Sequence, residues 1–403
     1  MINKYKFPVG FIWGTATSAH QTEGNNSNSD WWEYENHKNS GQHYPLEPSG
    51  IACDSYNRYE EDFDLAVKLN TKAARISVEW ARLEPTEGNF SQEEFEHYKK
   101  VLQAAKSRNL QTFVTLHHFT HPKWLIEKGR WESFKMPSYF AKYSKKCAEE
   151  LGEYTDIFLT INEPQVYTLM GYIEGKWPPA KVNSYIKSLI VQINLVLGHR
   201  KAYDAIKSVN KEYKVGIVKQ VTNYETREGE SIIFDNLICG VLNFAARHLI
   251  LMGIFKKFDL IGINYYFTNR IIKFKQRNPN DYVSDLNWWI NPGGIEPIIL
   301  ELWRRYKKPI YVTENGIADS KDKYRKQYIR DHLLSIHTAI SKGADVRGYF
   351  HWSLIDNFEW HEGFWPRFGL VEIDRNNNLE RKPRESFYYY AEICRTNEVG
   401  LEL

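Results

Sequence analysis

Eight short apolar segments, separated by longer stretches of helical periodicity, constrain the fold of this 403-residue chain more than any other feature. Most lack polar alternation, as expected of parallel strands that are buried on both faces. Strands that alternate with helices predict a parallel sheet, and eight repeats favour a closed (β/α)8 TIM barrel over an open sheet. The candidate strands are residues 11–15, 73–78, 111–116, 157–161, 215–218, 260–263, 310–313 and 346–350.

Amphipathic helices are predicted between these strands. Ser91 and Glu94 form a capping-box pattern at the start of one helix. A long helix is expected over residues 322–343, whereas the limits of a helix within residues 222–255 are not defined by the pattern. We therefore expect one (β/α)8 barrel domain over residues 1–403.

Composition argues against a nucleic-acid-binding, membrane-spanning or secreted protein. The net charge of +3 gives no reason to expect a nucleic-acid partner, and no apolar run reaches the roughly 18 residues typical of a membrane-spanning helix. The four cysteines are scattered, as expected of free thiols in a reducing compartment, and no secretion signal is recognisable, so a cytoplasmic location is expected. Aromatic residues make up 15% of the chain, which suits a site that stacks sugar rings.

The carboxyl ends of the predicted strands carry the unusual residues of this sequence. In a barrel these ends meet at one mouth, where active sites lie. Here the strands end in aromatic, amide and carboxylate groups rather than in ordinary turn residues. These groups include His117-His118-Phe119, Asn162-Glu163-Pro164, Asn264-Tyr265-Tyr266, Glu314-Asn315-Gly316 and His351-Trp352.

Two of these groups, Glu163 and Glu314, predict acetal hydrolysis. They end the fourth and seventh candidate strands, which lie on roughly opposite sides of an eight-stranded barrel. Hydrolysis of a glycosidic bond needs a proton donor for the leaving oxygen and a group that stabilises an oxocarbenium-like centre. Two carboxyl groups that face each other across the mouth can perform both tasks.

Along nearly its whole length the chain resembles glycoside hydrolase family 1, the β-glucosidase family. An Asn-Glu-Pro motif alone has moderate specificity, but the full ordered set of motifs is highly specific. The matching segments are residues 11–17, 21–24, 75–80, 116–119, 160–164, 262–266, 312–316 and 348–360.

The resemblance implies a retaining β-glycosidase in which Glu163 is the acid/base and Glu314 the nucleophile. Arg75 and Tyr266 would bond Glu314, and Asn264 is assigned with Arg75 to its support. Such chemistry needs no cofactor and no metal. The further residues expected to bind the substrate are Gln21, His118, Asn162, Trp288, Trp352, Glu359, Trp360 and Phe368.

The expected partner is a small β-glycoside or short oligosaccharide, with no nucleic acid, no membrane and an open oligomeric state. The motifs do not rank glucose, galactose, fucose and mannose. The chain is shorter than most family members, mainly between Glu163 and Asn264, which leaves the leaving-group preference open. The alternatives are a 6-phospho-β-glycosidase, against which Glu359, Trp360 and Phe368 argue, and a non-catalytic glycan-binding relative, against which both glutamates argue.

Overall fold

The computed structural model describes residues 4–36, 47–254 and 256–401. Eight parallel strands close into a barrel, and they follow one another around it in chain order. The last strand pairs with the first, with Gly348 opposite Ile12 and Trp352 opposite Ala16. This confirms the predicted fold class. The strands are β1 Ile12–Ala16, β2 Ala73–Ser77, β3 Gln111–His117, β4 Ile157–Asn162, β5 Lys214–Gln220, β6 Leu260–Asn264, β7 Ile310–Asn315 and β8 Val346–Trp352.

Helices surround the barrel and fill the connections between strands. The predicted cap at Ser91 is present, since its hydroxyl accepts a hydrogen bond from the Glu94 amide at 3.3 Å. The α-helices are Ala19–Thr22, Asp30–Asn36, Ser55–Lys68, Trp80–Leu83, Gln92–Ser107, Trp124–Glu127, Met136–Leu151, Pro164–Thr168, Tyr185–Val209, Ile233–Ile254, Ile295–Tyr306, Arg325–Ser341 and Glu385–Thr396.

Short elements complete the connections. Single turns of 3₁₀ helix lie at Arg130–Glu132, Gly152–Tyr154, Pro292–Gly294 and Trp360–Glu362, and one π-helical turn at Leu169–Ile173. Within the described ranges, three small sheets lie outside the barrel. They pair Lys4–Lys6 with Glu398–Gly400, Val371–Asp374 with Glu380–Pro383, and Thr268–Ile272 with both Asn223–Glu225 and Lys275–Gln276.

Helix Ile233–Ile254 changes one expectation drawn from the sequence. It is long and apolar enough, with a mean hydropathy of 1.8 in its most apolar window, to meet the length and composition criterion for a membrane span. This helix contains no long uninterrupted apolar run, because polar residues such as Asp235, Asn243 and Arg247 interrupt it without greatly lowering its mean hydropathy. A third of that window, 33%, is buried inside the protein.

Aromatic side chains fill the barrel interior below the carboxyl ends of the strands. Phe113 packs edge-on against Phe350, with ring centroids 4.6 Å apart, and against Tyr311 at 5.3 Å. All three rings are buried. The barrel is therefore a packed core rather than a pore, and open space is left at the mouth.

Replacement of Gly14 in β1 would show how tightly the barrel interior is packed. A Cβ atom there would lie 2.5 Å from the Phe350 ring and 2.9 Å from the Ala73 carbonyl oxygen. Because overpacking forces side chains and backbone to shift, Gly14→Ala should lower the free energy of unfolding by about 1–3 kcal/mol in urea titrations. Gly240→Ala is the matched control: its Cβ meets nothing within 4 Å, and alanine favours the helix by up to ~1 kcal/mol. Equal stability of the two variants would contradict this description of the core.

Candidate active site

A cavity of about 850 Å³ opens at the carboxyl ends of the barrel strands. Its lining brings together most of the residues predicted from the sequence, although they come from widely separated parts of the chain. Arg75 and Asn264 are not part of the lining and lie behind it. The predicted residues in the lining are Gln21, His118, Asn162, Glu163, Tyr266, Trp288, Glu314, Trp352, Glu359, Trp360 and Phe368.

Glu314 lies near the end of β7, and each of its carboxylate oxygens has one strong donor. Oε1 forms a buried ion pair with the Arg75 guanidinium from β2. Oε2 accepts a hydrogen bond of 2.6 Å from the Tyr266 phenol. Burial and the nearby Glu314 and Glu163 carboxylates raise the pKa of Tyr266 well above its usual range, so the phenol keeps the proton that it donates. These two donors fix the orientation of the Glu314 carboxylate.

Glu163 has a different environment at the end of β4. It precedes helix Pro164–Thr168 and adopts a left-handed backbone, with φ of 44°. One carboxyl oxygen accepts a hydrogen bond of 2.7 Å from the Asn264 amide. Burial and then the Glu314 carboxylate raise the pKa of Glu163 well above its usual range, which outweighs the lowering by Asn264 and Arg75. This carboxyl therefore retains its proton to a higher pH than an ordinary glutamic acid does.

The structure corrects the assignment of Asn264 to the support of Glu314. Asn264 lies opposite Glu314 in the β6–β7 register, but its amide nitrogen donates to Glu163 and, at 3.2 Å, to Asn162. Its amide oxygen accepts from the Thr313 hydroxyl at 2.7 Å. The reason is that Arg75 and Tyr266 already occupy the oxygens of Glu314.

Asn162 connects the two glutamates, through Arg75 to Glu314 and through Asn264 to Glu163. Its side-chain oxygen accepts a hydrogen bond of 2.7 Å from the second guanidinium nitrogen of Arg75. Its amide nitrogen lies 3.3 Å from Nε2 of His118. Burial, the Arg75 charge and His117 lower the pKa of His118 well below its usual range, so this imidazole is neutral. A neutral ring can donate one hydrogen bond and accept another, which suits a hydroxyl ligand.

Aromatic rings form the walls of the cavity. The His118 ring lies near both Trp352 and Trp360, with ring centroids 6.1 Å and 6.0 Å away and planes within 14° of parallel. Trp288 and Phe368 lie near one another, with centroids 6.1 Å apart, and each contacts the Tyr266 ring. Flat apolar faces with polar edges are the surfaces on which pyranose rings pack.

Gln21 and Glu359 are two further polar side chains of the cavity, and they differ in their hydrogen bonding. The Gln21 amide donates to the Phe358 carbonyl at 2.8 Å, and its oxygen accepts from Ser18 at 2.6 Å. By contrast, Oε2 of Glu359 is buried and has no hydrogen-bond partner in the described part of the protein. Burial, the Glu314 charge and then Glu362 raise the pKa of Glu359 to about 8. Glu359 is thus a polar group left free for a ligand.

Sequence reasoning missed the apolar half of the cavity. Its lining there includes the π-helical turn after Glu163 and one face of helix Ile233–Ile254. In the sequence, only the apolar pattern within residues 222–255 pointed to this part of the cavity wall. That pattern did not show which face of the helix points into the cavity. Conversely, Glu79 and Trp80 follow β2 but do not line the cavity. The missed apolar residues include Leu169, Met170, Ile173, Leu242, Ala245, Ala246 and Leu249.

Comparison with known proteins relates this chain to one enzyme family. The family model described as Glycosyl hydrolase family 1 matches residues 3–232 and 239–399. Beta-glucosidase A of Thermotoga maritima is 31% identical over 451 residues, covering 100% of each chain. A beta-galactosidase of Saccharolobus solfataricus is 30% identical, covering 99% of this chain and 97% of the other.

Solved structures show the same likeness. A beta-glycosidase from Pyrococcus horikoshii superposes with a TM-score of 0.90 at 36% identity, covering 98% of this chain and 96% of the other. The beta-glucosidase of Thermotoga maritima in complex with deoxynojirimycin also gives a TM-score of 0.90, at 28% identity, covering 99% of this chain and 100% of the other.

The raised pKa of Glu359 predicts a pH-dependent loss of stability. Between the ordinary pKa of 4.5 and about 8, the unfolded state releases this proton while the folded state retains it. The wild type should therefore lose stability relative to Glu359→Gln as pH rises through this window, and the difference should level off above it. Urea unfolding of both proteins across the window measures this. Glu93→Gln, which removes an exposed carboxylate, controls for the lost charge. A constant difference between wild type and Glu359→Gln would show that Glu359 is already ionised at the acid end.

Proposed function

We propose, from the premise that the chain belongs to glycosyl hydrolase family 1, that Glu163 is the acid/base and Glu314 the nucleophile of a retaining β-glycosidase. The observation that carries this division is the contrast between the two carboxyl environments in one cavity. Glu314 is bonded by a guanidinium and a phenol, whereas Glu163 is buried with its pKa raised well above the usual range. Two carboxyl groups held in environments as different as these are typical of an acid and a nucleophile.

In the first step the Glu314 carboxylate attacks the anomeric carbon of a bound β-glycoside. The bond from that carbon to the leaving oxygen breaks, and Glu163 donates its proton to this oxygen. A glycosyl ester on Glu314 results, with the anomeric configuration inverted. Loss of the negative charge on Glu314 then removes one of the causes that raise the pKa of Glu163.

In the second step the ionised Glu163 accepts a proton from water. The water oxygen attacks the anomeric carbon, the ester bond to Glu314 breaks, and the sugar leaves with net retention. Arg75 and Tyr266 hold the departing carboxylate in the orientation that it had before attack. Other hydroxyl compounds can replace water here, so transfer to alcohols should accompany hydrolysis.

The rings of Trp352, Trp360 and Phe368 are proposed to hold the non-reducing sugar, with Asn162 and His118 at its hydroxyls. Relatives named beta-glucosidase and beta-galactosidase support a glucosyl or galactosyl unit. Trp288 is proposed to contact the leaving group.

A 6-phosphorylated sugar fits this site less well. Glu359 offers a carboxyl group with a free buried oxygen beside Trp360, rather than a cation for phosphate. The lining does contain Lys176, but its ammonium pairs with Glu174 at 2.9 Å. A plain glycoside is therefore the substrate class that we propose.

Replacement of each glutamate should separate the two roles. Glu314→Ala should abolish turnover of every glycoside, because no ester can form. Glu163→Ala should slow glycosides with poor leaving groups far more than dinitrophenyl glycosides, by roughly 10²–10⁴-fold for a lost general acid. The measurement is kcat/KM over a series of aryl leaving groups.

Azide provides the control for the second step. A small anion can attack the glycosyl ester without a general base, so azide should restore turnover of dinitrophenyl glycoside by Glu163→Ala and yield a β-glycosyl azide. Equal losses for good and poor leaving groups, without rescue by azide, would contradict the assignment of Glu163.

A further inference from the structure

Exposed apolar side chains are concentrated on one part of this protein. Of the 23 large apolar side chains that are exposed among the described residues, 16 lie between Leu169 and Phe274. They follow helical spacing on two helices, at Ile186, Leu189, Ile193 and Leu197 on the first and at Phe234, Leu237, Val241 and Phe244 on the second. Exposed apolar patches of this kind mark interaction sites.

The two helices lie beside each other next to the active-site mouth. A Cβ atom on Gly253 would lie 2.9 Å from the Val196 side chain, which places the end of helix Ile233–Ile254 against the middle of helix Tyr185–Val209. Both helices also line the cavity. Leu249 belongs to the lining and is nevertheless 57% exposed, so the apolar surface continues from the mouth to the outside.

A hairpin extends this surface with an unusual turn. Strands Thr268–Ile272 and Lys275–Gln276 pair through a two-residue turn, with φ of 50° at Lys273 and 65° at Phe274. Such turns favour asparagine and glycine, because positive φ is costly for bulky residues. Phe274 is nevertheless 61% exposed, so burial in the core does not account for it.

Asp235 fixes this turn against the start of helix Ile233–Ile254. Its carboxylate accepts hydrogen bonds from the backbone amides of Lys273 at 2.8 Å and Phe274 at 2.9 Å. The Phe274 ring lies next to the Phe234 ring, with centroids 6.4 Å apart and planes 29° from parallel. The strained turn therefore holds two exposed phenylalanines side by side.

The charged residues of the hairpin are positive and therefore favour an anionic partner. Residues 268–280 contain four cations and no acid. Arg270 pairs with Glu225, whereas Lys273, Lys275 and Arg277 are exposed. Aromatic side chains flanked by cations match the boundary of an anionic lipid surface, where rings enter the acyl edge and cations meet phosphate headgroups.

We propose that the hairpin tip Lys273–Phe274–Lys275, with Phe234 and the exposed stripes of the two helices, docks on an anionic phospholipid surface. The contact is peripheral: helix Ile233–Ile254 stays in the fold because Arg247 is bonded to Glu301 and Asn223. Docking brings the active-site mouth to the lipid surface. This departs from the sequence-based expectation of no membrane partner, because the apolar residues are spread over three elements and form no run.

Flotation of the full chain with vesicles, without any glycoside, tests this proposal. The wild type should bind vesicles of phosphatidylcholine and phosphatidylglycerol in equal parts, and added salt should weaken the binding. Phe274→Asn should weaken vesicle binding at least about tenfold, because the phenylalanine side chain that enters the lipid is lost. Asparagine suits the left-handed turn, so this variant should remain folded.

Two further variants separate the apolar and electrostatic contributions. Val9→Asn replaces a side chain that is 98% exposed before β1, at the opposite end of the barrel, and should bind as the wild type does. Changing Lys273 and Lys275 to Gln should weaken binding to the anionic vesicles by about fivefold per lysine and leave binding to pure phosphatidylcholine unchanged.

The proposal is wrong if the wild type does not float, or if Phe274→Asn floats as well as Val9→Asn. Sedimentation velocity tests whether a second copy of this chain occupies the surface instead. If the wild type is a dimer that Phe274→Asn dissociates, and neither protein binds vesicles, this face is an interface between two copies. Hydrolysis of a soluble nitrophenyl glycoside should be equal in the wild type and Phe274→Asn. Loss of flotation is therefore distinguishable from a failure of the proposed catalytic roles.

Discussion

The site depends on Arg75, a buried cation that contacts three other strands of the barrel. From β2 its guanidinium reaches Thr115 on β3, Asn162 on β4 and both Thr313 and Glu314 on β7. Its side chain is fully buried. A buried cation must be paired, and loss of one partner from such a pair is strongly destabilising. The same contacts that satisfy Arg75 therefore fix the position of Glu314.

This arrangement gives the two glutamates different environments. Arg75 bonds Glu314 and Asn162, whereas the donor to Glu163 among the described residues is the neutral Asn264 amide. Burial and then the Glu314 carboxylate raise the pKa of Glu163 well above its usual range. One cation on one side of the mouth thus makes the surroundings of two identical side chains unequal, as the proposed roles of acid and nucleophile require.

The fold was predictable because its strands are buried on both faces and read as short, mostly apolar segments. All eight predicted strands are present, and their carboxyl ends extend further where polar residues such as Asn162 and Asn315 still pair with their neighbours. The partner of Asn264 was not predictable, because register places it next to Glu314 while hydrogen-bond competition directs it to Glu163. The exposed apolar stripes were missed for a related reason: helical periodicity alone does not say whether an apolar face meets the core or remains outside.

The central claim is catalysis by double displacement at Glu314, with Glu163 as acid/base. The stereochemistry of the first-formed sugar tests this claim most directly. Proton NMR of a β-glycoside mixed with a high enzyme concentration can follow the anomeric signals before mutarotation mixes them. The account predicts that the β-anomer appears first and the α-anomer only later, at the rate of mutarotation. An α-anomer formed first would mean direct attack by water and would contradict a covalent intermediate on Glu314.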